Sequence, residues 1–130
     1  LHRQGSDVRI ITYGILLKNA MEAADMLKDR GLETAVLRLM SLSELPVERI
    51  LEEAGSCRQF AIVEDCCSGS GIYEAIAEQI LNKIPGAVVQ RMDLGHGFVS
   101  HGPVDQLHVK CGLDAQSIAE KILEVRKVEN

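Results

Sequence analysis

Two rhythms of apolar residues alternate along this chain. Short β-branched runs that are almost continuously apolar predict strands buried on both faces, and longer stretches with apolar positions three and four apart predict helices. The first run, DVRIITYG (Asp7 to Gly14), is a strand that ends in a glycine turn. In the segment Leu17 to Arg30, Ala20, Met21, Ala24 and Leu27 form one helical stripe, and Gly31 stands where a left-handed C-terminal cap belongs. ETAVLRLM (Glu33 to Met40) predicts a second strand. LSELPVERILEEAG then carries Pro46 near the first turn of a short helix closed by Gly55.

RQFAIVED (Arg58 to Asp65) predicts a third strand. SGSGIYEAIAEQILNKI opens on small residues and continues as a helix through Ile72, Ala75, Ile76, Ala77, Ile80 and Leu81. GAVVQRMD makes a further strand. A loop rich in His and Gly follows, in which Pro103 suits the first turn of a helix through VDQLHVKCG. DAQSIAEKILEVRKV predicts the last helix, with Asp114 at its N-cap and Ser117 and Ile118 just inside. Strands alternating with helices at short spacing make βαβ units, whose right-handed crossovers put helices on both faces of a mainly parallel sheet. The expected fold class is α/β in three layers, α/β/α. No internal repeat, low-complexity segment or linker divides residues 1–130, and the natural boundary falls before Asp7.

Composition narrows the function classes. A chain of 130 residues buries about two thirds of its unfolded surface and can stand without a disulfide or metal staple. With 3% aromatic residues and no Trp, its core must be aliphatic. A net charge of −5 gives no basic footprint for phosphates, which argues against nucleic acid or an anionic membrane as a partner. No apolar run approaches the ~20 residues that span a bilayer, and the start lacks a signal-peptide pattern, so a cytoplasmic location is the default expectation. The chain begins Leu-His-Arg-Gln-Gly without Met and reads as a piece of something longer.

Chemistry in a doubly wound sheet gathers beyond the carboxyl ends of the strands. That directs attention to Tyr13 and Gly14, to EDCCSGSG, and to the His/Gly loop. Ser68, Gly69, Ser70 and Gly71 open a helix whose free N–H groups could hold an anion. Their spacing is neither a dinucleotide fingerprint nor a P-loop, and small residues easing a tight strand-to-helix turn beside a packed neighbour are the preferred explanation. Cys66 and Cys67 with His96 and His101 make a poor zinc set, because adjacent cysteines lack the spacer that lets two thiolates reach one ion. A Cys–His nucleophilic pair has no orienting third residue in view. Cys57, Cys66, Cys67 and Cys111 are expected to be reduced, metal-free thiols. Gly95, Gly97 and Gly102 surround His96 and His101 with permissive backbone, where an imidazole can pin loop backbone or face a neighbouring domain.

Taken together, DVRIITYG, TAVLRLMSLSELPVERI, AIVEDCCSGSGIYEAIAE and GFVSHGPVDQLHVKCGLDAQSIAEKI resemble the C-terminal domain of the transketolase superfamily of thiamine-diphosphate enzymes, nearly end to end. The HG and GLDAQSIAEKI ending is most similar to 1-deoxy-D-xylulose-5-phosphate synthases. The family's acidic residue and paired glycines after the third strand are matched loosely by EDCCSGSG, through Gly69 and Gly71. The resemblance implies a mixed, mostly parallel five-stranded sheet with Leu1 to Gln4 in an antiparallel edge strand, and residues 1–6 as the end of an interdomain passage. It implies no catalytic, cofactor-binding or metal residue in this domain, since thiamine diphosphate and Mg²⁺ lie between the preceding domains of the parent enzyme. Ser68, Gly69, Ser70, Gly71, His96, His101 and Gly102 become interdomain or anion-contact loops. The implied partners are those preceding domains and a second protomer in a homodimer. Transketolase itself is the nearer alternative, and a free-standing α/β anion-binding module the more distant one.

Overall fold

The structure is a computed structural model that describes residues 3–40, 45–65, 71–93 and 112–129, with side chains described as far as 126. Four strands form one parallel sheet: β1 (Val8–Thr12), β2 (Thr34–Arg38), β3 (Gln59–Val63) and β4 (Val88–Met92). Their order is β2-β1-β3-β4. Among the described residues four α-helices connect or follow them: α1 (Leu17–Asp29), α2 (Val47–Glu53), α3 (Tyr73–Lys83) and α4 (Ala115–Glu129). The period of two in each strand sorts the apolar side chains into two cores. Val8, Ile10, Val36, Ala61 and Val63 face α1 and α4, whereas Ile11, Leu37, Phe60 and Ile62 face α2 and α3. This is the three-layer arrangement expected from the sequence, and its core is aliphatic apart from the fully buried Phe60.

Local signals end the elements where the sequence places them. After α1, Gly31 takes φ +85, its N–H donates to Lys28 O at 3.0 Å, and Leu32 N donates to Leu27 O at 2.9 Å, a Schellman cap. Gly55 takes φ +56 after α2. At the start of α4, Asp114 Oδ2 accepts from Ser117 N at 3.2 Å. The helical stripe of α3 differs from the expectation: Ile72, Ile76, Ala77 and Ile80 are buried, but Ala75 is exposed and Leu81 is 54% exposed. At 100° per residue the buried positions fill an arc of roughly 140°, and positions 75 and 81 fall outside it. Apolar identity at those two sites does not mean core.

At the β2 edge the chain pairs briefly in the opposite sense. Arg3 makes an isolated antiparallel bridge with Val36, with Arg3 N to Val36 O at 3.3 Å and Val36 N to Arg3 O at 3.0 Å. Two residues on, Gly5 passes so close to β2 that a Cβ there would lie 2.5 Å from the Ala35 nitrogen. The obstacle is backbone, which cannot rotate away. Gly5→Ala should therefore loosen this edge and lower stability by about 1–3 kcal/mol, the scale of forced overpacking. Urea unfolding should show a lower midpoint with an unchanged slope, and an unchanged midpoint would refute the close approach.

Candidate functional site

With β1 and β3 side by side and β2 beyond β1, the connections diverge between β1 and β3. The carboxyl ends of those two strands frame the crevice in which open α/β sheets take ligands. Here the chain's own groups bridge it. Thr12 Oγ1 donates to Val63 O at 2.9 Å, fully buried. One position further along both strands, Tyr13 Oη donates to Glu64 Oε1 at 3.2 Å. Glu64 is 2% exposed, and its N–H donates to Met92 O at 2.8 Å, which ties it to β4 as well.

The same carboxylate serves α3. Ile72 N donates to Glu64 Oε1 at 2.5 Å and Tyr73 N to Oε2 at 3.3 Å. The N-cap residue Ile72 offers no side-chain cap of its own, so the first N–H groups of the helix would otherwise lack partners. A negative group is favoured there by the helix dipole and by the N–H groups that point outward. Glu64 fills that role from within the chain. An external anion at these N–H groups would have to displace a buried, hydrogen-bonded carboxylate, which weakens the anion-binding reading of SGSG.

Of the residues expected to form contact loops, Gly71 is described: it lies half-buried in a bend just before Ile72. Ser68, Gly69, Ser70, His96, His101 and Gly102, and the thiols Cys66, Cys67 and Cys111, lie outside the described residues. Sequence reasoning pointed at Tyr13 and at Glu64 separately but did not pair them. The pairing follows from strand order, because Thr12 is in register with Val63 and the next residues of the two strands then meet.

Among the described residues, no group of three or more His, Cys, Asp or Glu side chains could hold a metal ion. The first N–H groups of α3 and α4 are engaged by Glu64 and Asp114. These residues therefore do not fit a diphosphate and its Mg²⁺, which need free N–H donors and an oxygen-rich ligand set.

The opposite pole carries a cleft of ≈310 Å³ lined by Ser6, Asp7, Ser56, Arg58, Gln59, Gly86 and Arg126. Its arginines already serve the backbone. Arg58 Nη1 donates to Gly55 O at 3.1 Å and Cys57 O at 2.9 Å, and Arg126 Nη2 to Asp7 O at 2.9 Å. Above it the buried Arg9 donates to Glu53 O at 2.8 Å, the carboxyl-terminal end of α2. Guanidinium groups are favoured at such carbonyls for the same dipolar reason that carboxylates are favoured at the other end. The cleft is built by structural charges.

Cys57 has a free, buried thiol, 3.3 Å from Gln59 O. Burial pushes its pKa up, partly offset by the hydrogen bond to Gln59 and by Arg9, Arg126 and Arg58 nearby. It is a poor nucleophile, because the thiolate is the reactive form. The sign for stability follows. Above an unfolded thiol pKa of about 8.5 the unfolded chain loses this proton while the folded chain keeps it, so stability falls as pH rises. Between about pH 8 and 10, Cys57→Ala should show a shallower fall of unfolding free energy with pH than the parent chain. Equal slopes would refute the raised pKa. For Glu64→Ala, which leaves buried N–H donors without a partner, a loss of roughly 1–3 kcal/mol is expected in denaturant unfolding. Tyr13→Phe should cost about 1 kcal/mol, being one donor of the set.

Comparison with known proteins agrees with the geometry. A family model described as transketolase, C-terminal domain, matches residues 1–118. The chain is similar to 1-deoxy-D-xylulose-5-phosphate synthases: that of Trichormus variabilis is 30% identical over 122 residues, covering 94% of this chain and 19% of that protein. The synthase of Caldanaerobacter subterraneus subsp. tengcongensis is 32% identical over 121 residues, 93% of this chain and 20% of that protein. The synthase of Halothermothrix orenii is 33% identical over 122 residues, 93% of this chain and 19% of that protein. A solved structure titled "Split gene transketolase, inactive beta4 tetramer" superposes with a TM-score of 0.81 at 26% identity, over 94% of this chain and 39% of that one. The chain thus spans about a fifth of the length of the curated relatives it matches. From its fold, its crevice bridged by Tyr13 and Glu64, and a family match over most of its length, the chain belongs to the transketolase C-terminal domain family.

Proposed function

We propose that this chain is the C-terminal domain of a thiamine-diphosphate-dependent 1-deoxy-D-xylulose-5-phosphate synthase. Such an enzyme decarboxylates pyruvate and joins the two-carbon unit to glyceraldehyde 3-phosphate, feeding isoprenoid, thiamine and pyridoxal synthesis. The observation that carries the reading is 30–33% identity to proteins of that name over nearly the whole chain. The domain supplies no reacting group. It stabilises a cytoplasmic homodimer and buttresses the preceding domains, which hold the cofactor and Mg²⁺. Its sheet gains a fifth, antiparallel edge strand from Leu1 to Gln4, a reading supported by the bridge between Arg3 and Val36. His96 and His101 belong to loops that face those domains. No helix among the described residues is long and apolar enough to cross a membrane.

A transketolase section is the second reading, favoured by the 0.81 superposition on a split-gene transketolase. The free-standing anion-binding module is weakened by Glu64, which occupies the α3 start. Carbon dioxide release separates the first two. The complete polypeptide that carries this domain should release CO₂ from pyruvate in the presence of glyceraldehyde 3-phosphate. Transfer of a ketol unit between sugar phosphates without CO₂ would favour transketolase instead. The 130-residue chain alone, shown to be folded by circular dichroism, should give no saturable heat with thiamine diphosphate and Mg²⁺, and saturable binding would overturn the division of labour.

A further inference from the structure

Four large apolar side chains stand exposed among the described residues, and two of them share one place. Met26 on α1 and Leu81 on α3 lie singly on opposite layers, as scattered surface apolar residues commonly do. Ile15, 61% exposed, and Met40, 81% exposed, both follow the carboxyl ends of neighbouring strands. Thr12 is in register with Arg38, and Leu39 N donates to Thr12 O at 2.9 Å, so the ladder of β1 and β2 continues one step past the strands. The 3-10 turn Gly14–Leu16 and the residues just after β2 thereby both stand at the carboxyl pole, at the exits of adjacent strands. Exposed Arg38 adds a charged rim to this apolar pair.

The direction of the chain says what lies next to this patch. At Arg3 the backbone runs antiparallel to β2, heading towards the amino pole, and it returns as β1. The upstream side of Arg3 therefore points to the carboxyl pole, on the flank of Arg38 and Met40. The matching family model describes a C-terminal domain, and the relatives are about five times as long as the matched part, so the remainder precedes it. A preceding domain would arrive from the side on which the apolar pair is presented.

Resting on the proposed reading as a C-terminal domain, we infer that Ile15 and Met40 form the docking surface for the domain immediately preceding residue 1 of the same polypeptide. That domain would offer an apolar face, with an acidic group positioned to meet Arg38. Burial of the pair would hold the linker end near Arg3 in place and fix the orientation of this domain on the active-site domains.

The test uses the complete polypeptide. In its native form, hydrogen exchange should be slow at the amides of Gly14, Ile15 and Met40, which are exposed in this domain by itself. Ile15→Asp combined with Met40→Asp should raise the rate of proteolytic cleavage near residues 1–6 by about tenfold or more, the scale of losing a buried apolar side chain from an interface. Leu81→Asp, an equally exposed apolar site on α3, should leave that rate unchanged. Fast exchange at Gly14, Ile15 and Met40, or equal cleavage of the double variant and the native protein, would overturn the inference. So would a double variant whose cleavage is unchanged but whose dimer dissociates in sedimentation equilibrium, since the occupant would then be a second copy. CO₂ release by the native polypeptide scores the underlying reading separately, so an active synthase with a freely exchanging patch would sink this inference alone.

Discussion

The carboxyl pole of this domain is organised around one buried charge. Glu64 sits at 2% exposure, and a carboxylate removed from water is tolerated when hydrogen-bond donors surround it. The donors come from two places distant in sequence: the Tyr13 hydroxyl just past β1 and the first N–H groups of α3. Satisfying that charge fixes the spacing of β1 and β3 at their carboxyl ends and fixes the point at which α3 begins.

The amino pole follows the complementary rule. Helix carboxyl ends converge there, and arginines meet the carbonyls around them: Arg9 at Glu53 O, Arg58 at Gly55 O, Arg126 at Asp7 O. Acid at helix starts and base at helix ends is the local capping rule carried out through tertiary contacts. At both poles of the described structure the chain's own charged groups take up helix-end and turn backbone, although Arg9 Nη1 and Arg126 Nε stay buried without a hydrogen-bond partner. At the switch point of the described structure a carboxylate and a phenol bridge the carboxyl ends of β1 and β3.

Much of the fold was legible because its signals are local. Continuous β-branched runs marked β1, β2 and β3 as strands buried on both faces, Gly31 and Gly55 marked helix ends, and Asp114 marked a helix start, all as the structure has them, whereas β4, at the edge of the order, is half-buried with Arg91 exposed. The errors arise where a residue's fate depends on a neighbour supplied by topology. Ala75 and Leu81 repeat with helical spacing but face away from the sheet. Arg9, a charged residue within an apolar strand, is buried because the carboxyl end of α2 lies over it. The meeting of Tyr13 with Glu64 needs the order β2-β1-β3-β4, which no local pattern encodes. Of the expected contact residues, Gly71 falls within the described structure and sits where the strand-to-helix turn was placed.

The antiparallel approach at Arg3 and the parallel run of β1 from Val8 give the domain a fixed polarity relative to its entering chain. Because Gly5 threads against the Thr34 and Ala35 backbone, that entry has little freedom to swing. Ile15 and Met40 stand exposed at the carboxyl pole, past the ends of β1 and β2. Capping of α3 by Glu64 at the carboxyl pole and the close passage of Gly5 beside the first residues of β2 are thus two tertiary constraints on one sheet, each fixing where a neighbouring segment must run.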